Sequence, residues 1–467
     1  MLAIRIGLVA VATMLLGPTP AQAAQSALRE VELGVTTSDG LTLPATLRLP
    51  ANAGHRLPAI VLVHGAGPGP REDFRAEAEA FARKGVATLA YDKRTVGYSL
   101  VQRDYSRLAD DAVAAAALLR GRPEIDPAGV GFLGFSEGGW VAPLAVTRDP
   151  AAAFLITVGA SGISPLRQQS WAGATKAEYA GLRGSVVNAY SRTFYRLISG
   201  LGMFPEAYYD PGPALRSLTL PVLAIWGAKD VQSAPVESAV AFRSFLDAAG
   251  NRHYTLRTID GAEHKLHTTT DGYDRGERLA AGYPELVASW TADAVAGRAP
   301  ATSVDGVRQQ TRTSVEMPPL AWYESVPVQA AALAVMLVGF LWFAVAGCWR
   351  RLRGRLGSPW QAWVLAVAGL VAALGAPVYL RWLLVSLSGT PTTNSTVDPG
   401  TPLIAGRPPV WLALQVLSVV AVAAGVATAI QLRRRSAAAE GRLRHGLLLA
   451  AGAVFVVWAV HWGLLLP

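Results

Sequence analysis

Four apolar runs, at residues 326–349, 360–380, 410–432 and 446–466, set the first limit on the fold. Each is close to the ~20 residues that an α-helix needs to cross the hydrocarbon core of a bilayer. Four buried helices of a globular domain are the competing reading, and the flanking charges argue against it. Arg350, Arg351, Arg353 and Arg355 follow the first run, while Arg433, Arg434, Arg435, Arg442 and Arg444 lie between the third and fourth. The connection between the second and third has only Arg381 and Arg407 at its margins, around SGTPTTNSTVDPG. Loops rich in Lys and Arg stay in the cytoplasm, so both clusters are expected inside and the residues before the first run outside.

Charge is distributed accordingly. The chain carries 42 Lys+Arg against 33 Asp+Glu, a formal net charge of +9, yet eleven of the arginines and two of the acidic residues fall after Ser325. Residues 24–325 are close to neutral. The basic balance therefore reports membrane topology, and nucleic acid is not an expected partner. Hydrophobic residues make up 51% and charged residues 16%, too apolar for a purely soluble protein and too charged for a bare membrane bundle. At 467 residues, two parts are expected.

The opening MLAIRIGLVAVATMLLGPTPAQAAQS has one early arginine, an apolar run, a Gly-Pro break and small residues at Ala21 and Ala23. This is the pattern of a secretory signal peptide, residues 1–23, cleaved after Ala23. An uncleaved anchor helix is the other reading, and either places residues from Ala24 onward across the membrane. The single cysteine, Cys348, lies in an apolar run and allows no intrachain disulfide. A domain of about 300 residues builds a sufficient core without one.

Residues 24–300 alternate between β-rich and helical stretches. VELGVTTSDGLTLPATLRLP reads as a hairpin around Asp39-Gly40, and buried strands are expected at 58–65, 85–92, 129–135, 153–160, 221–228 and 253–260. Amphipathic stretches such as REDFRAEAEAFARK and DYSRLADDAVAAAALLRGR separate them. Near-continuous apolar strands alternating with helices imply an α/β fold, a mostly parallel sheet covered on both faces. The segment of about 164–210 is longer than a simple crossover and reads as a small helical cap. Its Trp171, Tyr179, Tyr190, Phe194 and Tyr195 either line an acyl pocket or pack the cap on the core. Residues 296–325 lack apolar periodicity, and 301–325 read as a linker to the transmembrane domain 326–467.

Gly134-Phe135-Ser136-Glu137-Gly138 matches G-x-S-x-G between the strand GVGFLGF and the helix-compatible GWVAPLAVTRD. That context is the one a nucleophile elbow requires, with glycines flanking a serine held on a strained turn. A serine hydroxyl is a weak nucleophile and needs a base oriented by a third group. In this fold the chain order is serine, acid, histidine, and it is met by Ser136, Asp230 after PVLAIWGAK, and His264 after the last strand. Asp260, Glu263, His253 and His267 are rivals read as solvated or structural. The oxyanion of an acyl-transfer intermediate needs preorganised N–H donors. One is expected at Glu137 and the other in the loop His64-Gly65-Ala66-Gly67-Pro68, with Ala66 first and Gly67 second. His264 and His267 are spaced i, i+3, but no third ligand supports a metal site, and no cofactor is expected.

LVHGAGPGPREDF, YDKRTVGYS, DDAVAAAALLRGRPEIDPAGVGFLGFSEGGWVAPLAV and PVLAIWGAKD resemble the secreted α/β-hydrolases related to dienelactone hydrolases, acyl esterases and acylaminoacyl-peptidases. The resemblance covers roughly residues 29–295 and does not extend to the membrane block. It implies a Ser-Asp-His triad on Ser136, Asp230 and His264 with an oxyanion hole at Ala66 and Glu137. Thr95 departs from it, since similar sequences have Gly in YDKRGVGxS, which bears on pocket shape.

The expected reaction is hydrolysis of a carboxylic ester through an acyl-enzyme on Ser136, on a small-molecule or lipid-like acyl ester, beside membrane lipids. Acyl-peptide cleavage is the alternative among enzymes. A sensor or transport role for the membrane block, with the first domain as a binding module, is the alternative outside them. Few polar residues border the apolar runs, namely Gln329, Gln361, Arg381, Gln415 and His461, and they form no paired charges marking an ion path.

Overall fold

The hairpin around Gly40 forms, with β1 (Leu28–Thr36) pairing antiparallel to β2 (Thr42–Pro50) along its full length. The computed structural model describes residues 27–298, 300–305, 310, 312–354, 358–387, 402–434 and 439–466. The expected signal segment 1–23 lies outside them, as do Arg355, Arg435 and residues 388–401 between the second and third apolar runs.

Six buried strands occupy the expected windows: β3 (Leu57–Val63), β4 (Ala87–Tyr91), β5 (Ile125–Phe135), β6 (Leu155–Val158), β7 (Val222–Gly227) and β8 (Tyr254–Ile259). With β9 (Ser303–Val304) they complete a nine-stranded sheet in the order β1-β2-β4-β3-β5-β6-β7-β8-β9, parallel from β4 onward. The strands read as continuous apolar runs because both faces are covered. On one side lie α1 (Arg75–Ala82) and α9 (Tyr283–Val295), with Phe81, Tyr283 and Trp290 against Ile60 and Leu133. On the other lie α2 (Tyr105–Arg120), α3 (Gly138–Arg148) and α8 (Pro235–Ala248). The start of α2 is fixed by Asp104, whose carboxylate accepts the Arg107 N–H at 3.0 Å as an N-cap.

The β5–α3 turn is crowded enough to fix residue type. A Cβ on Gly134 would lie 2.1 Å from the Gly138 carbonyl oxygen, and one on Gly138 would lie 2.3 Å from that of Val63. Neither neighbour is a flexible side-chain end, so the backbone itself must shift. Gly138→Ala is therefore expected to destabilise by about 3 kcal/mol, the upper range for overpacking, read as a lowered Tm.

The cap consists of α4 (Pro165–Tyr179), α5 (Ser185–Asn188), a π-helical turn at Ala189–Phe194 and α6 (Tyr195–Gly200), while the short α7 (Gly212–Leu215) that follows packs on the main domain, with Leu215 in its core. The stretch 301–325, read as a linker, is docked on the domain along much of its length. Glu237 accepts bonds from the Ser314 N–H at 3.0 Å and from Gln310 at 2.6 Å, Trp171 donates to the Arg312 carbonyl at 2.7 Å, and Met317 is buried. Docking through single polar and backbone groups leaves no periodic trace, which is why the sequence reads as featureless there.

Four helices long and apolar enough to cross a membrane come next in the chain: α10 (Val326–Leu352), α11 (Trp360–Leu387), α12 (Pro409–Arg434) and α13 (Ala439–His461). The second runs seven residues beyond the expected 380 and carries Arg381 inside it; the fourth stops at His461, short of 466. Small residues let α10 and α13 approach, since a Cβ on Gly339 would lie 2.4 Å from that of Ala451. The cap rests on the helix ends away from Arg350, Arg351, Arg433 and Arg434. Arg196 donates to both Glu324 carboxylate oxygens at 2.6 Å, while Trp411 and Gln415 each donate to Ser185 Oγ at 3.2 Å. Cap and bundle share one apolar cluster, in which Tyr190, Tyr195, Phe340, Tyr379 and Trp411 are buried.

Candidate active site

The loops after β5, β7 and β8 converge at the carboxyl end of the sheet, where open α/β sheets place their sites. Ser136 sits between β5 and α3 with φ at +52°, a left-handed conformation that costs a non-glycine residue energy and marks a built turn. Its N–H donates to the Val158 carbonyl at 2.9 Å, so the hydroxyl is the free end of the residue. His264 Nε2 lies 2.9 Å from Ser136 Oγ, and His264 Nδ1 lies 3.0 Å from Asp230 Oδ2.

Asp230 is buried at the end of β7 and accepts further bonds from the Gln232 and Ser233 N–H groups at 2.8 and 3.0 Å and from Ser233 Oγ at 2.6 Å. Burial pushes its carboxyl upward, but the His264 charge and these donors outweigh it and hold it below the usual carboxylate range. An ionised Asp230 fixes the proton on Nδ1 of His264, leaving Nε2 to accept from the serine hydroxyl. Three residues far apart in sequence are thereby linked into a chain able to deprotonate a hydroxyl.

The oxyanion donors have the required freedom. Among the described residues neither the Ala66 nor the Glu137 N–H has a protein acceptor, whereas Gly67 donates its own to Tyr98 Oη at 3.1 Å. Ala66 and Glu137 both line the cavity of about 420 Å³ that holds Ser136 and His264. Glu137 is the N-cap residue of α3, so the helix dipole favours negative charge there. His64 and Gly65 support this loop. The His64 imidazole is pushed down to about 3 by burial, so it is neutral, and its Nε2–H donates to the Tyr91 carbonyl at 2.8 Å.

A buried network behind this loop escaped sequence reasoning. The Glu137 side chain points inward, takes a hydrogen bond from Tyr98 Oη at 2.7 Å, and pairs with Lys93 and, at 3.2 Å, with Arg103. Lys93 also donates to the Gly65 carbonyl at 2.7 Å. Both candidate oxyanion donors are thus braced by one set of charges. The segment YDKRTVGYS was legible as a loop beside the site, but which of its side chains turn inward depends on the sheet beneath. Thr95 is exposed, has a negative φ and does not line the cavity that holds Ser136, so its departure from glycine leaves that wall unchanged.

Burial pushes the Lys93 amine down to about 8, against the pull of Glu137. Below that pH the ammonium holds Glu137 and Gly65; above it the brace loses a charge. Turnover is expected to decline as pH rises through about 8, and Lys93→Met to be slower but lack this limb, as read from kcat/KM against pH.

The rivals have other partners. Glu263 is buried, pairs with Arg275 at 3.0 Å and accepts the Lys265 and His267 N–H groups, so it shapes the histidine loop. His267 Nδ1 lies 2.9 Å from the Gly276 carbonyl, and Asp260 and His253 are exposed. Among the described residues no group of three or more His, Cys, Asp or Glu side chains is placed to hold a metal.

The sequence model of the Prolyl oligopeptidase family matches residues 73–283, the stretch that carries all three of these loops. An uncharacterised protein of Mycobacterium tuberculosis is 34% identical over 259 residues, which cover 55% of this chain and 79% of that protein. The chain belongs to the α/β-hydrolases of this family. The hydrolase is also 25% identical over 246 residues to Esterase EstD of Thermotoga maritima, covering 48% of this chain and spanning 58% of the esterase's length. A putative dienelactone hydrolase structure from Klebsiella pneumoniae superposes with a TM-score of 0.36 at 16% identity, covering 58% of this chain and 95% of that one. The family matches support a serine hydrolase.

Proposed function

We propose that this serine hydrolase cleaves carboxylic esters through an acyl-enzyme on Ser136, outside the cytoplasm, anchored by its four apolar helices. The observation that carries this is the contact of Ser136 Oγ with His264 Nε2 at 2.9 Å beside two unoccupied N–H donors. His264 Nε2 takes the hydroxyl proton as Oγ adds to the ester carbonyl carbon, and the N–H groups of Ala66 and Glu137 hold the resulting oxyanion. Collapse breaks the bond to the alcohol, which leaves with the proton from His264. Water then loses a proton to His264, adds to the acyl carbonyl, and frees the carboxylic acid and Ser136. Asp230 holds the imidazole tautomer and stabilises the imidazolium.

The sidedness rests on the placement of charge along the bundle. Arg350, Arg351, Arg433 and Arg434 occupy one end of the bundle and the hydrolase domain packs on the other, in the sense of the positive-inside rule.

The test uses the full chain in detergent, with esters and amides of one acyl group and a serine-directed phosphonate. Ester turnover above amide turnover, with the phosphonate on Ser136, is expected. Comparable amide turnover would turn the reading to acyl-peptide cleavage, and no turnover with an unlabelled Ser136 would remove it.

A further inference from the structure

The cavity holding Ser136 adjoins a second one of about 380 Å³, with Ala66, Arg103, Gln169, Phe204 and Gln232 in the walls of both. Each lies in the range of ~300–1,000 Å³ that small-molecule sites occupy. The first has polar and apolar walls in similar measure, with Arg103, Lys265 and Arg275 among the polar ones. The second is built from apolar side chains on three elements: Leu100 and Val101 before α2, Tyr190, Ile198 and Met203 of the cap, and Leu384 and Leu387 of α11. Lys176 is its one charged side chain not shared with the first.

The α11 wall is the decisive feature. Leu384 and Leu387 close a helix long and apolar enough to cross a membrane, at the end away from the arginine clusters. Arg196, Ser185, Trp411 and Gln415 hold the cap directly on that end of the bundle. The second cavity is therefore a seam between cap and bundle at the level where lipid acyl chains begin. Its rim fits that level, since Leu100, Val101 and Met203 are 55%, 54% and 51% exposed. Such a patch is unfavourable against water and matched to lipid. Trp322 and Tyr323, just before α10, are exposed too, in the place of an interfacial aromatic belt. Of the cap aromatics, Tyr190 and Tyr195 line the seam, whereas Trp171 bonds to Arg312 and Tyr179 stacks on Tyr273.

We propose that this seam takes the acyl chain of a membrane lipid ester directly from the adjoining leaflet and lays its carbonyl at Ser136, with the chamber that carries Arg103, Lys265 and Arg275 receiving the alcohol part. The inference rests on the ester-hydrolase reading and adds the substrate class. A short water-soluble ester is accommodated in the Ser136 chamber alone and makes no use of a wall borrowed from a membrane helix.

The test uses the full chain in phosphatidylcholine vesicles, with 4-methylumbelliferyl butyrate in the water and the palmitate in the bilayer, two esters with one leaving group. Ala172→Trp and Leu384→Trp fill the seam from opposite walls, and Ala172→Val is a smaller plug on the same helix. Palmitate turnover is expected to fall ~10-fold or more in both Trp variants, with butyrate turnover within about twofold of wild type. Equal slowing of both esters by all three variants, or no slowing by any, overturns the proposal. Wild type that turns over butyrate but not palmitate overturns it also, leaving the esterase reading in place. A diazirine-tailed phosphatidylcholine gives a readout free of turnover: crosslinks to cap residues 189–204 in wild type, lost in Ala172→Trp. Absence of those crosslinks overturns the seam even where butyrate is hydrolysed, and their presence without any Ser136-dependent turnover isolates the failure to the esterase reading.

Discussion

Ser136→Ala is expected to lower ester turnover by about 10⁵-fold while leaving the fold and Tm close to wild type. The loss is large because every covalent step passes through Oγ. His264 has no other hydroxyl within bonding distance among the described contacts, and the free N–H groups of Ala66 and Glu137 are left to stabilise only direct attack by water. His264→Ala should cost about as much, and the double variant little more than either alone, because the two residues act as one unit. Rates of Ser136→Ala, His264→Ala and the double variant, with phosphonate labelling, give the measurement. Two single losses that multiply in the double variant would show that serine and histidine act separately, against the contact at 2.9 Å.

Asp230→Asn is expected to lower kcat by about 10⁴-fold with KM nearly unchanged. The reason lies in the donors around that carboxylate. The Gln232 and Ser233 N–H groups both bond to Oδ1, so an asparagine must keep its carbonyl oxygen there and turn its amide NH₂ toward His264. Nδ1 of His264, 3.0 Å from that position, then has to accept instead of donate. The imidazole proton moves to Nε2, which faces Ser136 and can no longer take the hydroxyl proton. Substrate binding involves neither nitrogen, so the effect falls on kcat. Turnover of Asp230→Asn within about tenfold of wild type would remove Asp230 from the chain of groups.

Much of the domain was legible because its signals are local. The strands from β3 to β8 are short apolar runs bounded by turn residues, and each lies where those runs stand. G-x-S-x-G between a strand and a helix predicts a sharp turn from two glycines and their neighbours alone, and Ser136 has the left-handed backbone of such a turn. The membrane-length helices are equally local, since length and apolarity suffice. Sequence reading went astray where structure is held by single, aperiodic contacts. Residues 301–325 dock through Gln310, Ser314 and the Arg312 carbonyl, none of which forms a pattern. The extra seven residues of α11 pack on the cap, a partner that the run itself does not encode.

By itself, then, the sequence determined the order of strands and helices, the loops that carry Ser136, Asp230 and His264, and four segments of membrane length. Those features depend on residues within about one turn or one strand of each other, whose periods and steric limits are written in the chain. Only the tertiary structure decided that Gly67 gives its N–H to Tyr98 and leaves that of Ala66 free, that Lys93, Tyr98 and Arg103 converge on Glu137, and that the cap meets the end of α11. These are contacts between residues distant in sequence, fixed by how the sheet twists and how layers pack, and a one-residue change of register would dissolve them.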